Sequence, residues 1–519
     1  KGYRSQKSTM DDHLMTELSP KRTKMSGLRL IVVGSGFGGL AMALRLKAKG
    51  AQVTIVERLS DLGGRAQVFK KNGFTHDAGP TVITAPFLFD ELFQLFNKNR
   101  SDYCDFIPLD VWYDFVFDDG TKFSYTGDLN HTYSQISHFE PGDVEGYKRL
   151  LKLSKSIFKV GFEQLSAQPF TRFWTMLRQV PSLLKLQSYR TVFGLVSKYI
   201  KNEKLRKVFS IHPLLVGGNP YTTTSIYTLI HYLERKWGIH FAQGGTGALV
   251  ASLEKLLIEE GVKIQKNFDI TKIEIDANSG KATEVLSSDG ENIECDGVVF
   301  NGDPPYAYQH LLPARLRRQK LRRPDSNTKF SMGLFVLFFG TKHVYEEVSH
   351  HTIWLGKRHE ELLRDIFDYK CLADDFSLYI HRPTATDKSF APEGCDSFYV
   401  LCPVPNLQLD LDWEVEGCEL RDRIVQALAE TLLPNLDANI TDDFWMSPKD
   451  FQADYKSVWG AGFSIAPILS QSAYFRYHNK DPEISNLFFV GAGTHPGAGV
   501  PGVLSSAKVT ERLIMETFC

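Results

Sequence analysis

Three glycines constrain this chain more than any other feature. Gly34, Gly36 and Gly39 form a G-x-G-x-x-G between the apolar run Leu30-Ile31-Val32-Val33 and a stretch where Leu40, Ala43, Leu44 and Leu46 recur at helical spacing. The pattern predicts a strand, a tight turn and a helix in succession. Gly34 permits the turn, Gly36 lets the backbone approach a pyrophosphate, and Gly39 lets helix and strand pack closely. The helix N-terminus offers unpaired N–H groups to the anion. Glu57 closes the next strand, Val53-Thr54-Ile55-Val56, about 20 residues further on, where a carboxylate accepts hydrogen bonds from a ribose. An unphosphorylated adenosine is therefore expected. Three glycines marking only a turn would not need the strand, helix and acid in register with them.

The residues after the acid separate a flavin from a nicotinamide. Asp61-Leu62-Gly63-Gly64-Arg65 adds a second glycine pair and a cation, and Phe74-Thr75-His76-Asp77-Ala78-Gly79-Pro80-Thr81 adds a further turn-rich segment. FAD holds its ring far from its adenine, so extra backbone must track the pyrophosphate and ribityl chain. Arg65 can neutralise phosphate charge through a forked hydrogen-bond pair; the alternative is an ordinary surface cation. Near the other end, the apolar run Leu487–Val490 enters a glycine-dense turn containing Gly491, Gly493, Gly497, Gly499 and Gly502, and 503–515 reads as a helix. Glycine allows the close approach and positive φ such a turn needs around a flavin. His495, just before Pro496, is expected to shape this turn rather than to catalyse.

The segments GSGFGGL…E…GGR, DAGPTVIT, LLVGGNPYTTTSIYTLIHYLE at 214–234 and NLFFVGAGTHPGAGVPG together resemble the bacterial and fungal type of phytoene desaturase. The resemblance runs from Leu28 to Thr517. The first motif is shared by many FAD oxidoreductases, whereas the GGNP-centred run and the last motif are far more restricted. The resemblance implies FAD contacts at Gly34, Gly36, Gly39, Glu57, Gly63, Gly64, Arg65, Gly491, Gly493, Gly499 and Val500, with a further contact near the adenine at Ile270. It also implies a substrate-orienting or electrostatic role for Arg178, since a guanidinium is a poor base. Thr175 stands where some relatives carry an acid before that arginine, so an acid–arginine pair is not expected. Asp143, Glu145 and Arg149 match the family pattern too, and a solvated helical face is their expected place.

The fold expected is α/β. A discontinuous Rossmann-like FAD-binding domain would combine residues 28–100, 241–305 and 481–519; in its middle piece, Gly244-Gly245-Thr246-Gly247 opens a helix through Leu257, with strands at 262–264, Ile270–Ile275 and Gly297–Phe300. A mixed-sheet substrate domain would use 101–135 and 306–480, with strands at 334–339, 376–381 and 398–402 and a helix at 419–433. Residues 136–240 would form a helical lid or membrane-docking domain, the whole being like the amine oxidases and GDI proteins. Residues 1–27 have charges but no apolar signal core, and are set outside the fold as a leader.

Composition excludes several classes. With 60 basic against 61 acidic residues there is no global field for nucleic acid. The longest apolar strings, such as 333–340, fall well short of the roughly 18 residues that span a bilayer. Seven cysteines without a C-x-x-C read as reduced, mostly buried thiols of a cytoplasmic enzyme. No metal-spaced histidine cluster or hydrolytic triad is defensible. Between Gln164 and Asn202 there is no acid, while Arg172, Arg178, Lys185, Arg190, Lys198 and Lys201 interleave with aromatics such as Phe170, Phe173, Trp174 and Tyr189. That suits an anionic bilayer surface, each nearby cation contributing about 1 kcal/mol; a helical domain that buries its aromatics would look similar.

The expectation is an FAD-dependent desaturase that takes phytoene and partly desaturated carotenes to lycopene, as a peripheral protein on the cytoplasmic face of a membrane. A quinone or oxygen would reoxidise the flavin, because no second strand–glycine-loop–helix site for NAD is evident. The alternatives are a C30 carotenoid desaturase, a carotene isomerase, or a flavin-free prenyl-lipid carrier.

Overall fold

The computed structural model describes residues 25–171, 173–316 and 328–519. Its first sheet has five strands in the order Leu487–Phe489, Gly297–Phe300, Arg29–Val33, Gln52–Val56 and Lys263–Gln265. Every neighbouring pair is parallel, with Val33 opposite both Phe300 and Val56. These strands are near-continuous apolar runs because both faces are covered. Helices Phe37–Ala48, Gly245–Glu259 and Val500–Phe518 pack on one face, around a core that includes Leu40, Leu44, Leu253 and Ile514. The other face carries the antiparallel strands Ile270–Ile275, Ala282–Ser287 and Asn292–Glu294. Parallel register brings the carboxyl ends of the strands to one edge, so the loops after Val33, Val56, Phe300 and Phe489 emerge side by side. That edge is where an open α/β sheet binds its ligand.

The second sheet has seven strands in the order Ile440–Met446, Gly333–Thr341, Asp396–Val404, Leu378–His381, His351–Leu355, Val111–Phe117 and Lys122–Thr126. It is mixed, its one parallel pair joining His351–Leu355 to Val111–Phe117. Gly333–Thr341 is buried throughout, consistent with its unbroken apolar sequence. Helices Asp143–Phe158, Val192–Tyr199, Glu203–Phe209 and Leu229–Trp237 form most of the helical insertion. The described residues contain no helix long and apolar enough to cross a membrane.

Several local expectations need correction. The helix expected at 419–433 is Trp413–Glu430, starting earlier because the Asp412 carboxylate accepts from the Glu414 amide at 3.1 Å. The last helix begins at Val500, since Pro501 fits a first helical turn. Met25, set outside the fold by sequence, is fully buried in the core of the first sheet, while residues 1–24 of that leader lie outside the described residues. Asp143 does not sit on a solvated face: it is buried, and its two oxygens accept from the Lys201 and Asn202 amides, each at 2.8 Å. Glu145 is exposed as expected and pairs with Lys148. All seven cysteines are free, but Cys371, Cys418 and Cys519 are exposed, so the thiols are not mostly buried.

Candidate flavin site and substrate cavity

A cavity of about 590 Å³ begins at the carboxyl edge of the parallel sheet and runs beneath the seven-stranded sheet. Gly34, Gly36, Glu57, Gly63, Gly64 and Arg65 line its polar end, joined by Ile270, Gly491, Gly499 and Val500. Gly34 has φ +91°, which a side chain would strain, so the turn requires glycine there. A Cβ on Gly36 would come 3.2 Å from Asn301 Nδ2, and one on Gly39 would come 2.1 Å from the Gly34 carbonyl. The helix thus rests directly on the turn at Gly39, which does not line the cavity. Gly493 does not line it either: its Cβ would lie 2.3 Å from Pro304 Cδ, so that glycine serves packing of the turn.

The Glu57 carboxylate is buried and organises the loop. Its Oε2 accepts from the Ser35 amide at 2.9 Å and the Ser35 hydroxyl at 2.6 Å, and its Oε1 accepts from the Leu59 amide at 2.9 Å. A carboxylate has about four acceptor positions, so capacity for a ribose hydroxyl remains. Ile270 reaches the cavity because the turn before it, with Asn267 at φ +58°, is tied to the acid's strand by a hydrogen bond from Phe268 N to the Glu57 carbonyl.

Arg65 is half-buried, and removal of its guanidinium from water pushes its pKa down from the usual value. One nitrogen donates to Ser457 Oγ at 3.3 Å, while Nε has no partner. A half-buried guanidinium whose buried Nε is unsatisfied, beside a glycine cradle and a helix N-terminus, fits a pyrophosphate. The residues present therefore fit FAD.

The C-terminal turn is held from below. Asn479 Nδ2 donates to Thr494 Oγ1 at 3.2 Å and to the His495 carbonyl at 3.1 Å, and Arg476 donates to the Ala492 carbonyl at 2.6 Å and the Thr494 carbonyl at 3.1 Å. His495 Nε2 lies 3.0 Å from the Leu165 carbonyl, and burial pushes its pKa down to about 4. A neutral imidazole bonded to backbone shapes the turn, as expected from sequence.

Beyond this turn the wall becomes apolar. Leu334, Ile353 and Leu401 come from the seven-stranded sheet, Met332 directly precedes its strand Gly333–Thr341, and Phe162 and Ile230 come from the helical insertion. Tyr379 also faces the cavity, its hydroxyl 2.6 Å from Thr81 Oγ1 and 2.7 Å from His351 Nδ1. The neighbours of Arg178, Met176 and Gln179, line the cavity, whereas Arg178 itself is exposed, at the turn that ends helix Phe173–Leu177.

Sequence reasoning missed three wall residues. Asn301 donates to the Gly34 carbonyl at 3.3 Å and to the Gly36 carbonyl at 3.5 Å, tying the central strands to the glycine turn. Its signal was available, as a polar residue in an Asn-Gly-Asp run directly after a buried strand. Tyr113 and Glu234 also line the cavity, Glu234 being the last residue of the GGNP-centred run at 214–234. Glu234 directly precedes Arg235 and Lys236, so local composition does not mark it as a wall residue.

A parallel nucleotide-binding sheet with two glycine turns, opening into an apolar cavity under a mixed sheet, defines a flavin-dependent oxidoreductase of the amine-oxidase and GDI-like fold. The family described as flavin containing amine oxidoreductase matches residues 37–510. The chain is 45% identical to the lycopene-forming phytoene desaturase of Pantoea ananas, over 93% of this chain and 98% of that one. It is also 45% identical to the lycopene-forming enzyme of Pseudescherichia vulneris, over 94% and 99%. Solved structures share the fold at low identity: putrescine oxidase bound to putrescine has a TM-score of 0.60 at 12% identity, covering 94% of this chain and 99% of its own. Rab GDI from Plasmodium falciparum has a TM-score of 0.55 at 11%, covering 94% and 98%. The chain therefore belongs to the flavin-containing amine oxidoreductases and, within them, to the phytoene desaturases.

Proposed function

We propose that this protein dehydrogenates phytoene in successive steps to lycopene, using bound FAD, at a membrane surface. The observation that carries the reading is the joining of one polar, glycine-lined end to one long apolar end within a single cavity. Gly34, Gly36, Arg65 and the adjoining helix would hold the pyrophosphate, Glu57 the ribose, and the Gly491–Val500 turn the ring end. When bound, FAD supplies a hydride acceptor. The apolar wall aligns a flexible hydrocarbon and keeps water from the reacting carbons, so the protein's contribution is mainly orientation and dehydration.

Substrate solubility sets the place of work, because each buried methylene is worth about 0.8 kcal/mol and a C40 hydrocarbon stays in lipid. The helical insertion supports docking: Trp174, Leu184 and Tyr189 are exposed there, as are Lys185 and Lys198. Arg172 belongs to the same basic series but lies outside the described residues. The cytoplasmic face of a membrane, where free thiols stay reduced, is the location proposed. A quinone or oxygen is proposed as the final oxidant.

Purified FAD-loaded enzyme, given phytoene liposomes and a quinone without nicotinamide, should yield red pigment of lower mass. Only a geometric isomer at unchanged mass would sink the desaturase reading in favour of an isomerase.

A further inference from the structure

Desaturation removes two hydrogens from adjacent carbons. One leaves with its electron pair as hydride, and the other must leave as a proton to a base. Among the described residues, the acids that line the cavity are Glu57, Glu234, Asp269, Asp303 and Asp454. Four of these belong to the polar end. Glu57 holds the Ser35 and Leu59 amides, Asp303 accepts from the Val458 amide at 3.0 Å, Asp269 pairs with Arg58 at 3.3 Å, and Asp454 lies on the stretch whose carbonyls bind Arg58.

Glu234 is different. It lies on helix Leu229–Trp237, is fully buried, and shares the apolar wall with Ile211, Leu214 and Ile230. The Tyr113 hydroxyl donates to its Oε1 at 3.2 Å, and His212 Nε2 lies 3.0 Å from its Oε2. Burial, and after it the nearby Glu234, raises the Tyr113 pKa well above the usual phenol value, so that group stays a donor. An acid withdrawn from water carries a penalty of several kcal/mol, and at an apolar wall an aliphatic residue would fill the space without it. One donor on each oxygen fixes the carboxylate plane while leaving each oxygen further acceptor capacity.

We infer that Glu234 is the proton acceptor of the desaturation, with Tyr113 and His212 as positioning residues. This rests on the desaturase reading. FAD, when bound, would supply the hydride acceptor for the first C–H bond, and the adjoining double bonds of the substrate carry the positive charge that develops there. The second C–H bond breaks toward Glu234 as the hydride departs, its electron pair becoming the new C=C bond and its proton converting the carboxylate to the acid; neither cleavage goes to completion without the other. The proton is lost to water once product has left.

Anaerobic bleaching of the flavin by phytoene liposomes tests this directly. Absence of bleaching in the parent enzyme would refute the desaturase reading itself, before Glu234 is at issue. Given bleaching in the parent, Glu234→Gln should slow it about 100-fold, the lower range for a general base, with FAD content and lycopene binding unchanged. A purely structural acid would be replaced by Gln at little cost, so bleaching within about threefold of the parent would overturn the proposal. If Glu234→Gln does not hold FAD, Glu234→Ala with added formate decides. Restored bleaching supports a missing base, and no restoration overturns it.

Discussion

At the nucleotide end of the cavity, polar groups are committed to the loop that forms it: Glu57 to Ser35 and Leu59, Asn301 to two carbonyls of the glycine turn, Arg476 to the C-terminal turn. At the apolar end the wall is drawn from distant segments, and its few polar groups bond to side chains of other elements, Glu234 to Tyr113 and His212 and Tyr379 to Thr81 and His351. The difference tracks what each end must recognise. A pyrophosphate has fixed geometry and charge, which backbone amides match locally. A long hydrocarbon offers only shape, which takes many contacts from many elements.

The sharpest way to break this contrast is to disturb the glycine turn. Gly39→Ala should leave no bound flavin and no activity, because its Cβ would meet a backbone carbonyl at 2.1 Å that cannot move aside. Gly36→Val should also lose FAD while keeping more of the fold, since its nearest neighbour is the Asn301 side chain at 3.2 Å. Flavin absorbance and thermal unfolding separate the two. Full flavin and turnover in Gly36→Val would end the assignment of this loop.

Acid gives the next largest effect. Burial pushes the pKa of His76 down to about 4 and that of His350 down to about 3, and both lie in or beside the seven-stranded sheet. In the unfolded chain each titrates near 6.5, so between that value and the folded one the unfolded state binds the extra proton. The stability these groups contribute is complete above pH 6.5 and is lost as pH falls toward 4, about 3 kcal/mol for His76 alone. Urea midpoints taken at pH 7.5, 6 and 5 should fall accordingly, and His76→Asn should flatten the slope. An unchanged slope would mean that His76 is not held neutral.

A smaller effect concerns the lid. Lys185→Gln, Arg190→Gln and Lys198→Gln together should weaken sedimentation with anionic liposomes by about 2–3 kcal/mol, at roughly 1 kcal/mol per cation. Arg190 and Lys198 both donate to Gln187 Oε1, at 3.2 and 2.9 Å, which reduces their share. Unchanged sedimentation would make this segment an ordinary folded surface. Least of all, Asn301→Ala should raise the FAD dissociation constant by about tenfold, the scale of one or two neutral hydrogen bonds. Equilibrium titration of the apoprotein would detect it, and an unaltered constant would show that the turn holds its shape without that tie.

The same contrast explains how much the sequence discloses. The strand, turn, helix and acid at 30–57 are contiguous, so spacing alone locates them, and strands Ile270–Ile275 and Gly297–Phe300 appear at the residues expected. Asp143 departs from its expected place because the amides that bury it come from Lys201 and Asn202, which no local pattern reports. The place of Arg178 goes undisclosed for a related reason: which side of a short helix faces the cavity depends on how the insertion packs. Glu234, Tyr113 and His212 belong to a helix, a sheet strand and a short helical turn, and only tertiary structure brings them together.

The strand order of the flavin sheet also sets a timetable for biosynthesis. Arg29–Val33 emerges first, but its neighbour Gly297–Phe300 arrives only after the whole helical insertion, and Leu487–Phe489 with the Gly491–Val500 turn comes later still. Chains fold as they appear, amino-terminal segments first, so the glycine turn after Arg29–Val33 must wait for its far wall until the intervening segments have been made. The ring-end wall is thus made later than the pyrophosphate loop. A nascent chain stopped before Leu487 would carry the pyrophosphate loop complete and still have no wall at the ring end.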